Sequence, residues 1–146
     1  MYDEVSVRAT SIGAYFSCLA FRDEKINKRL FVSPLLDMCR TIADLMMAAG
    51  VNEERLRTER EIPTEFGQTL SWDYLCYARE NPVRAVCADT AILYATGDEI
   101  VPRDTVETFA RENGCGLTEI EGYEHYLHTK EEIGILEKWE YENTRI

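Results

Sequence analysis

Ala9-Thr10-Ser11-Ile12-Gly13-Ala14-Tyr15-Phe16 joins two stretches of opposite character. Before it, Glu4-Val5-Ser6-Val7-Arg8-Ala9 alternates apolar and polar residues, the period of a strand. After it, Ala14 to Phe21 is apolar nearly all round, which suits a helix packed on several sides. The junction is a strand-to-helix turn with Ala9 and Gly13 two residues either side of Ser11. A backbone that doubles back there crowds itself. Small residues at both positions let the serine hydroxyl project clear of the sheet, toward the N–H groups of the helix terminus. Alanine stands where the usual pattern has its first glycine. Serine as a helix cap and glycine as a spacer produce the same letters, so this octet gains meaning only in combination with groups elsewhere in the chain.

Outward from the turn, Leu30-Phe31-Val32 reads as a brief strand stopped by Ser33-Pro34. Leu35, Leu36, Met38, Cys39, Ile42, Leu45 and Met46 recur at helical spacing up to Gly50. Asn52 to Glu61 is charged and predicts a short exposed helix, and Ile62 to Gly67 a loop. Ser71 suits the N-cap of a helix carrying Trp72, Leu75, Cys76 and Ala78, ending near Asn81-Pro82. The stretch 35–81 is thus a helical insertion, either a lid over a pocket or a long crossover. Its Met38, Met46, Met47, Trp72 and Tyr77 either line an apolar acyl site or simply pack.

Thr90-Ala91-Ile92-Leu93-Tyr94-Ala95 is apolar enough for a strand buried on both faces. Gly97-Asp98-Glu99 turns the chain. Pro102 opens a helix with Val106, Phe109 and Ala110 on one face, closed by Gly114-Cys115-Gly116. Leu117 to Ile120 is a last strand, Glu121 to His128 a loop. Thr129 and Glu132 fit a capping box for a final helix with Ile133, Leu136 and Trp139 inward. This alternation predicts one α/β domain over 1–146, with a mostly parallel sheet of about four strands and helices on both faces.

Composition narrows the partners. The 146 residues are 45% apolar and 10% aromatic, enough for a real core, and the net charge is −11. So acidic a surface repels phosphate backbones and anionic lipid, which argues against nucleic acid and membrane partners. No apolar run approaches the roughly 18 to 20 residues that span a bilayer. The amino end, Met1-Tyr2-Asp3-Glu4, is acidic where a secretory signal is basic and then apolar. Five cysteines, at 18, 39, 76, 87 and 115, are widely spaced and read as reduced, mostly buried thiols of a cytoplasmic protein.

Two further groups could carry chemistry. Asp98 lies just past a strand end, where parallel sheets place functional groups, though a turn aspartate also caps its own loop. His125 follows the last strand. With His128 it forms H-x-x-H near Glu121 and Glu124, but no third ligand stands at a recognised metal spacing. Ser11, Asp98 and His125, each after a different parallel strand, follow the chain order of a hydrolytic triad. In that arrangement Ser11 attacks a carbonyl, His125 moves its proton, Asp98 orients the imidazole, and the Ile12 N–H is one oxyanion donor.

On these residues the chain resembles the carboxy-terminal part of a bacterial α/β-hydrolase. Residues 9–16 resemble the nucleophile elbow, Phe31-Val32-Ser33-Pro34 the strand and loop after it, residues 91–98 the acid strand and turn, and residues 121–125 the histidine loop. The resemblance implies hydrolysis of an ester, thioester or amide of a small-molecule acyl substrate, without a cofactor. Family members begin with several strands before the elbow, and an early loop gives the second oxyanion donor. Here the elbow strand is almost the first element. The resemblance therefore implies a partial fold with an open strand edge, and a two-fold homodimer meeting near residues 4–20. The alternative is a non-catalytic remnant serving as an oligomerising or binding module.

Overall fold

A computed structural model describes residues 2–86 and 88–145; Cys87 lies outside the described residues. In chain order these form β1 (Ser6–Thr10), α1 (Ile12–Ala20), β2 (Lys28–Val32), α2 (Met38–Ala49), α3 (Glu53–Glu59), β3 (Glu61–Pro63), β4 (Thr69–Ser71), α4 (Trp72–Glu80), β5 (Asp89–Ala95), α5 (Arg103–Asn113), β6 (Gly116–Ile120) and α6 (Lys130–Thr144). They cluster into two compact units, one running up to Leu36 and again from Val83 onward, the other Asp37–Pro82.

The first unit is built on a parallel sheet in the order β1-β2-β5-β6. Register aligns Ala9, Phe31, Ile92 and Leu117 in one row. β2 and β5 are buried almost throughout, because helices cover both faces. On one face, Leu30, Val32, Ala91, Leu93 and Trp139 form a core, with Ile120, Leu127 and Leu136 packed against it. Trp139 and Leu136 come from α6, and Arg8 on the same side reaches Glu140 of that helix at 2.6 Å. α1 and α5 lie on the opposite face. Gly13 approaches Ala9 there, and Tyr94 hydrogen-bonds Val101 at the start of the α5 segment. The architecture is α/β with helices on both faces, as the alternation predicts.

Details differ from the sequence reading. Ile133 is exposed rather than inward; the inward stripe of α6 runs through Leu136 and Trp139. Its capping box is present, with Thr129 Oγ1 accepting from Glu132 N and Glu132 Oε2 accepting from Thr129 N. Pro102 is the residue before α5 rather than its first turn. Of the described cysteines only Cys18 is buried; Cys39, Cys76 and Cys115 are half-buried.

The second unit contains α2, α3, β3, β4 and α4. Asp37, Asn52 and Ser71 each accept a hydrogen bond from the first turn of the helix that follows, so three local caps set its phrasing. The stretch from Ile62 is not all loop: β3 and β4 pair antiparallel with Ile62 opposite Leu70, both buried. Met38 is buried in this unit, Met46 and Met47 line one cavity, and Trp72 lines another. Tyr77 is exposed. The five side chains considered as an acyl site thus do not line one cavity.

Candidate active site

Three loops at the carboxyl ends of β1, β5 and β6 supply the candidate residues, where an open parallel sheet places its ligand-facing groups. Ser11 sits between the last residue of β1 and the first of α1, with φ 52° and ψ −124°. A non-glycine residue held there costs about 1–3 kcal/mol and persists only when its surroundings fix it. They do. Ser11 N donates to Val32 O at 2.9 Å, and Ser11 O accepts from Ala14 N at 3.1 Å and Leu35 N at 3.0 Å. The crowding expected between positions 9 and 13 is not found: a methyl on Gly13 would stand 3.9 Å from Ala9 Cβ, an ordinary contact.

Asp98 follows β5 and its side chain is 0% exposed. Its Oδ1 accepts from Ile100 N and Val101 N, both at 2.8 Å. Its Oδ2 lies 2.6 Å from His125 Nδ1. Every oxygen of the carboxylate therefore faces a donor, which is what makes a desolvated charge tolerable. The other side of this loop is tied by Tyr94, whose hydroxyl donates to Val101 O at 2.7 Å. Burial, then the nearby Asp98 carboxylate, pushes the Tyr94 phenol up to about 12, so it stays a donor.

His125 follows β6, with its side chain 17% exposed. Nε2 stands 2.9 Å from Ser11 Oγ while Nδ1 faces Asp98. With Asp98 ionised, Nδ1 carries the proton and Nε2 is left to accept from the serine hydroxyl; the network assigns this tautomer. The loop bearing His125 is stitched to the acid turn. Thr96 N donates to Ile120 O at 2.9 Å, Gly97 N to Tyr123 O at 2.9 Å, and Gly122 N to Thr96 Oγ1 at 3.1 Å. Gly97 has no alternative, since a Cβ there would meet Tyr123 O at 2.6 Å. Farther along, Glu132 Oε2 accepts from His128 N and Thr129 N, and these bonds hold its carboxyl below the usual range.

The structure thus brings Ser11, His125 and Asp98 into one hydrogen-bonded chain. Ile12 N–H opens α1, in the first turn that no preceding helical carbonyl serves. His128 goes elsewhere: its ring stacks on Tyr126 and its Nδ1 lies 2.8 Å from Tyr126 O. Among the described residues no cluster of three or more His, Cys, Asp or Glu is placed to hold a metal. Nor is any described helix long and apolar enough to cross a membrane. Sequence reasoning gave no role to the supporting groups Tyr94, Thr96, Gly97 and Ser33, although they lie in the stretches 91–98 and 31–34 that carry the resemblance.

Ser11, Asp98 and His125 stand past the carboxyl ends of three parallel strands, and comparison with known structures places the fold. The chain superposes on a protein of Agrobacterium vitis S4 with TM-score 0.78 and 14% identity, over 98% of this chain and 62% of that one. Mouse alpha/beta hydrolase domain-containing protein 10 gives TM-score 0.74 and 15% identity, over 97% and 62%. Est1E of Butyrivibrio proteoclasticus gives 0.71 and 20%, over 96% and 61%. The fold is the α/β-hydrolase fold from the elbow strand onward, and the chain spans less than two thirds of each of these proteins. No protein-family model and no curated protein matches the sequence.

Proposed function

We propose that this chain is a serine hydrolase acting on a carboxylic ester, thioester or amide. One observation carries the reading: Ser11 Oγ, His125 and buried Asp98 form a continuous hydrogen-bonded chain, with spacings of 2.9 and 2.6 Å. Ser11 Oγ attacks the acyl carbon as Nε2 of His125 takes the hydroxyl proton. Asp98 balances the imidazolium that forms. The Ile12 N–H faces the oxyanion, a contribution of about 3 kcal/mol in such sites. His125 returns the proton to the leaving group, and water then cleaves the acyl-enzyme by the same route.

The neighbours support an acyl substrate. Est1E has been solved with ferulic acid bound, and esterase 2 of Thermogutta terrifontis with butyrate bound. The described cysteines, all free thiols, support a cytoplasmic site of action. The open edge of β1 leaves room for a further segment to pack along the sheet. That strand ends the sheet, and Ile12 and Phe16 beside it are 44% and 43% exposed. A second copy of the chain seated there is the partner we favour, and sedimentation across a range of concentrations reads it directly: a clean monomer throughout contradicts it.

The test of activity is turnover of p-nitrophenyl esters of increasing acyl length and of hydroxycinnamate esters. Measurable kcat/KM that vanishes in Ser11→Ala, and that falls about 10⁴-fold in Asp98→Asn, is the expected result. Turnover unchanged in Ser11→Ala contradicts the assignment. No turnover by any chain length, in monomer or dimer, leaves the binding-module alternative in its place.

A further inference from the structure

Ser33 is the first residue beyond β2 and belongs to none of the three loops that carry the candidate residues. It is 1% exposed, yet polar. It is also one of three non-glycine residues with positive φ among those described, at 47°. A left-handed conformation costs an L-residue on the order of 1 kcal/mol, so something must hold it there. Its N–H donates to Leu93 O at 2.9 Å, extending the β2–β5 ladder by one bond. That bond anchors the backbone and leaves the side chain free for another purpose.

The side chain finds it 92 residues away: Ser33 Oγ donates to the main-chain carbonyl of His125 at 3.1 Å. Two residues on, Leu35 N donates to the carbonyl of Ser11 at 3.0 Å. One short turn, 33–35, therefore grips the backbone of the nucleophile and the backbone of the base together. The bonds between Thr96, Gly97 and the histidine loop fix that loop relative to Asp98, not relative to Ser11. The Ser33–Leu35 turn ties the Ser11–His125 side of the site.

We propose that Ser33 is a positioning residue for His125, its hydroxyl setting the distance between the imidazole and Ser11 Oγ by holding the His125 carbonyl. The inference rests on the reading of Ser11, His125 and Asp98 as the reacting groups. Serine suits the place because it is small enough for a buried left-handed site and still a donor. Alanine leaves the carbonyl unmet, and glycine does so while relieving the backbone.

That difference supplies the test. Ser33→Ala and Ser33→Gly are compared with the unaltered protein by the rate of fluorophosphonate labelling at Ser11, resolved into affinity and maximal rate, and by thermal midpoint. The low-field proton resonance of the His125 Nδ1–H bond to Asp98 is recorded beside them. The expected result is a roughly tenfold lower maximal labelling rate in both variants, the scale of one hydrogen bond lost. Affinity is unchanged, the resonance broadens in both, and the glycine variant is the more stable of the two. A labelling rate that follows the thermal midpoint, with Ser33→Gly labelling as fast as the parent, overturns the proposal. If the parent itself does not label, the hydrolase reading fails; the resonance still decides this one, its broadening supporting the positioning role and its persistence in both variants overturning it.

Discussion

The two glycines flanking the candidate residues behave in opposite ways. Gly13, beside the candidate nucleophile, is the glycine a motif search finds, and the space over it accepts a methyl at 3.9 Å from Ala9. Gly97, beside the candidate acid, looks like an ordinary turn residue, and a methyl there would sit 2.6 Å from the Tyr123 carbonyl. The elbow is held by backbone bonds to Val32, Ala14 and Leu35 and has slack in its side-chain space. The acid and histidine loops are held by pressing two backbones together, and have none. The elbow pattern therefore marks the candidate nucleophile, while the tighter steric constraint lies at Gly97, whose place in the acid turn gives no hint of its contact with Tyr123.

Gly97→Ala puts this contrast under the greatest strain. The added carbon must push Tyr123 away, and with it His125, by a distance on the order of 1 Å; shifts of that size cost about 10²-fold in rate. Overpacking adds a stability loss of about 1–3 kcal/mol. Labelling at Ser11 should fall accordingly in a protein whose far-ultraviolet circular dichroism is unaltered, and undiminished labelling would show that the two loops are not coupled.

Next in size is Tyr94→Phe. It removes the donor from Val101 O inside the acid loop, a buried carbonyl left unmet, and should lower unfolding free energy by about 1–3 kcal/mol in denaturant titration. A midpoint unchanged from the parent would mean that the hydroxyl is not supporting the loop.

Glu132→Gln is smaller and depends on pH. Hydrogen bonds from Thr129 and His128 lower the folded-state proton affinity of Glu132. The ionised carboxylate thus stabilises the fold above its unfolded titration range, and that contribution is lost as pH falls through the lower folded value. The variant should be less stable than the parent at neutral pH, with the difference in thermal midpoint closing on acidification. A difference that is constant with pH would assign the effect to something other than charge.

Gly13→Ala should do least. The contact is an ordinary one, Gly13 lies within α1, and alanine is the better helix former by up to about 1 kcal/mol. Stability should hold or rise and labelling should change less than about threefold, under 1 kcal/mol. A loss like that of Gly97→Ala would erase the distinction between the two turns.

Legibility in the sequence follows the same division. β2 and β5 are readable because a strand covered on both faces needs an apolar run such as Ala91 to Ala95, and β1 because its residues alternate. Ser71 and Thr129 are readable because capping is local chemistry within three residues. The β3–β4 hairpin is not, since each strand has three residues and a single inward side chain, and Pro63 argues against a strand. Ile133 looks inward because it keeps helical spacing with Leu136 and Trp139, but it lies in the first turns of α6, and the core packs against Leu136 and Trp139 further along. Ser33 and Gly97 are illegible for a different reason. Their partners, the carbonyls of His125 and Tyr123, are 92 and 26 positions away, and main-chain acceptors leave no trace in residue identity.

Intact-protein and peptide mass spectrometry after a fluorophosphonate, with His125→Ala in parallel, reads the nucleophile and its base in one experiment. The expected result is a single adduct on Ser11 that forms orders of magnitude more slowly when the imidazole is gone. An adduct on another residue, or equal labelling in the His125→Ala protein, would contradict the assignment of Ser11 and His125 as nucleophile and base.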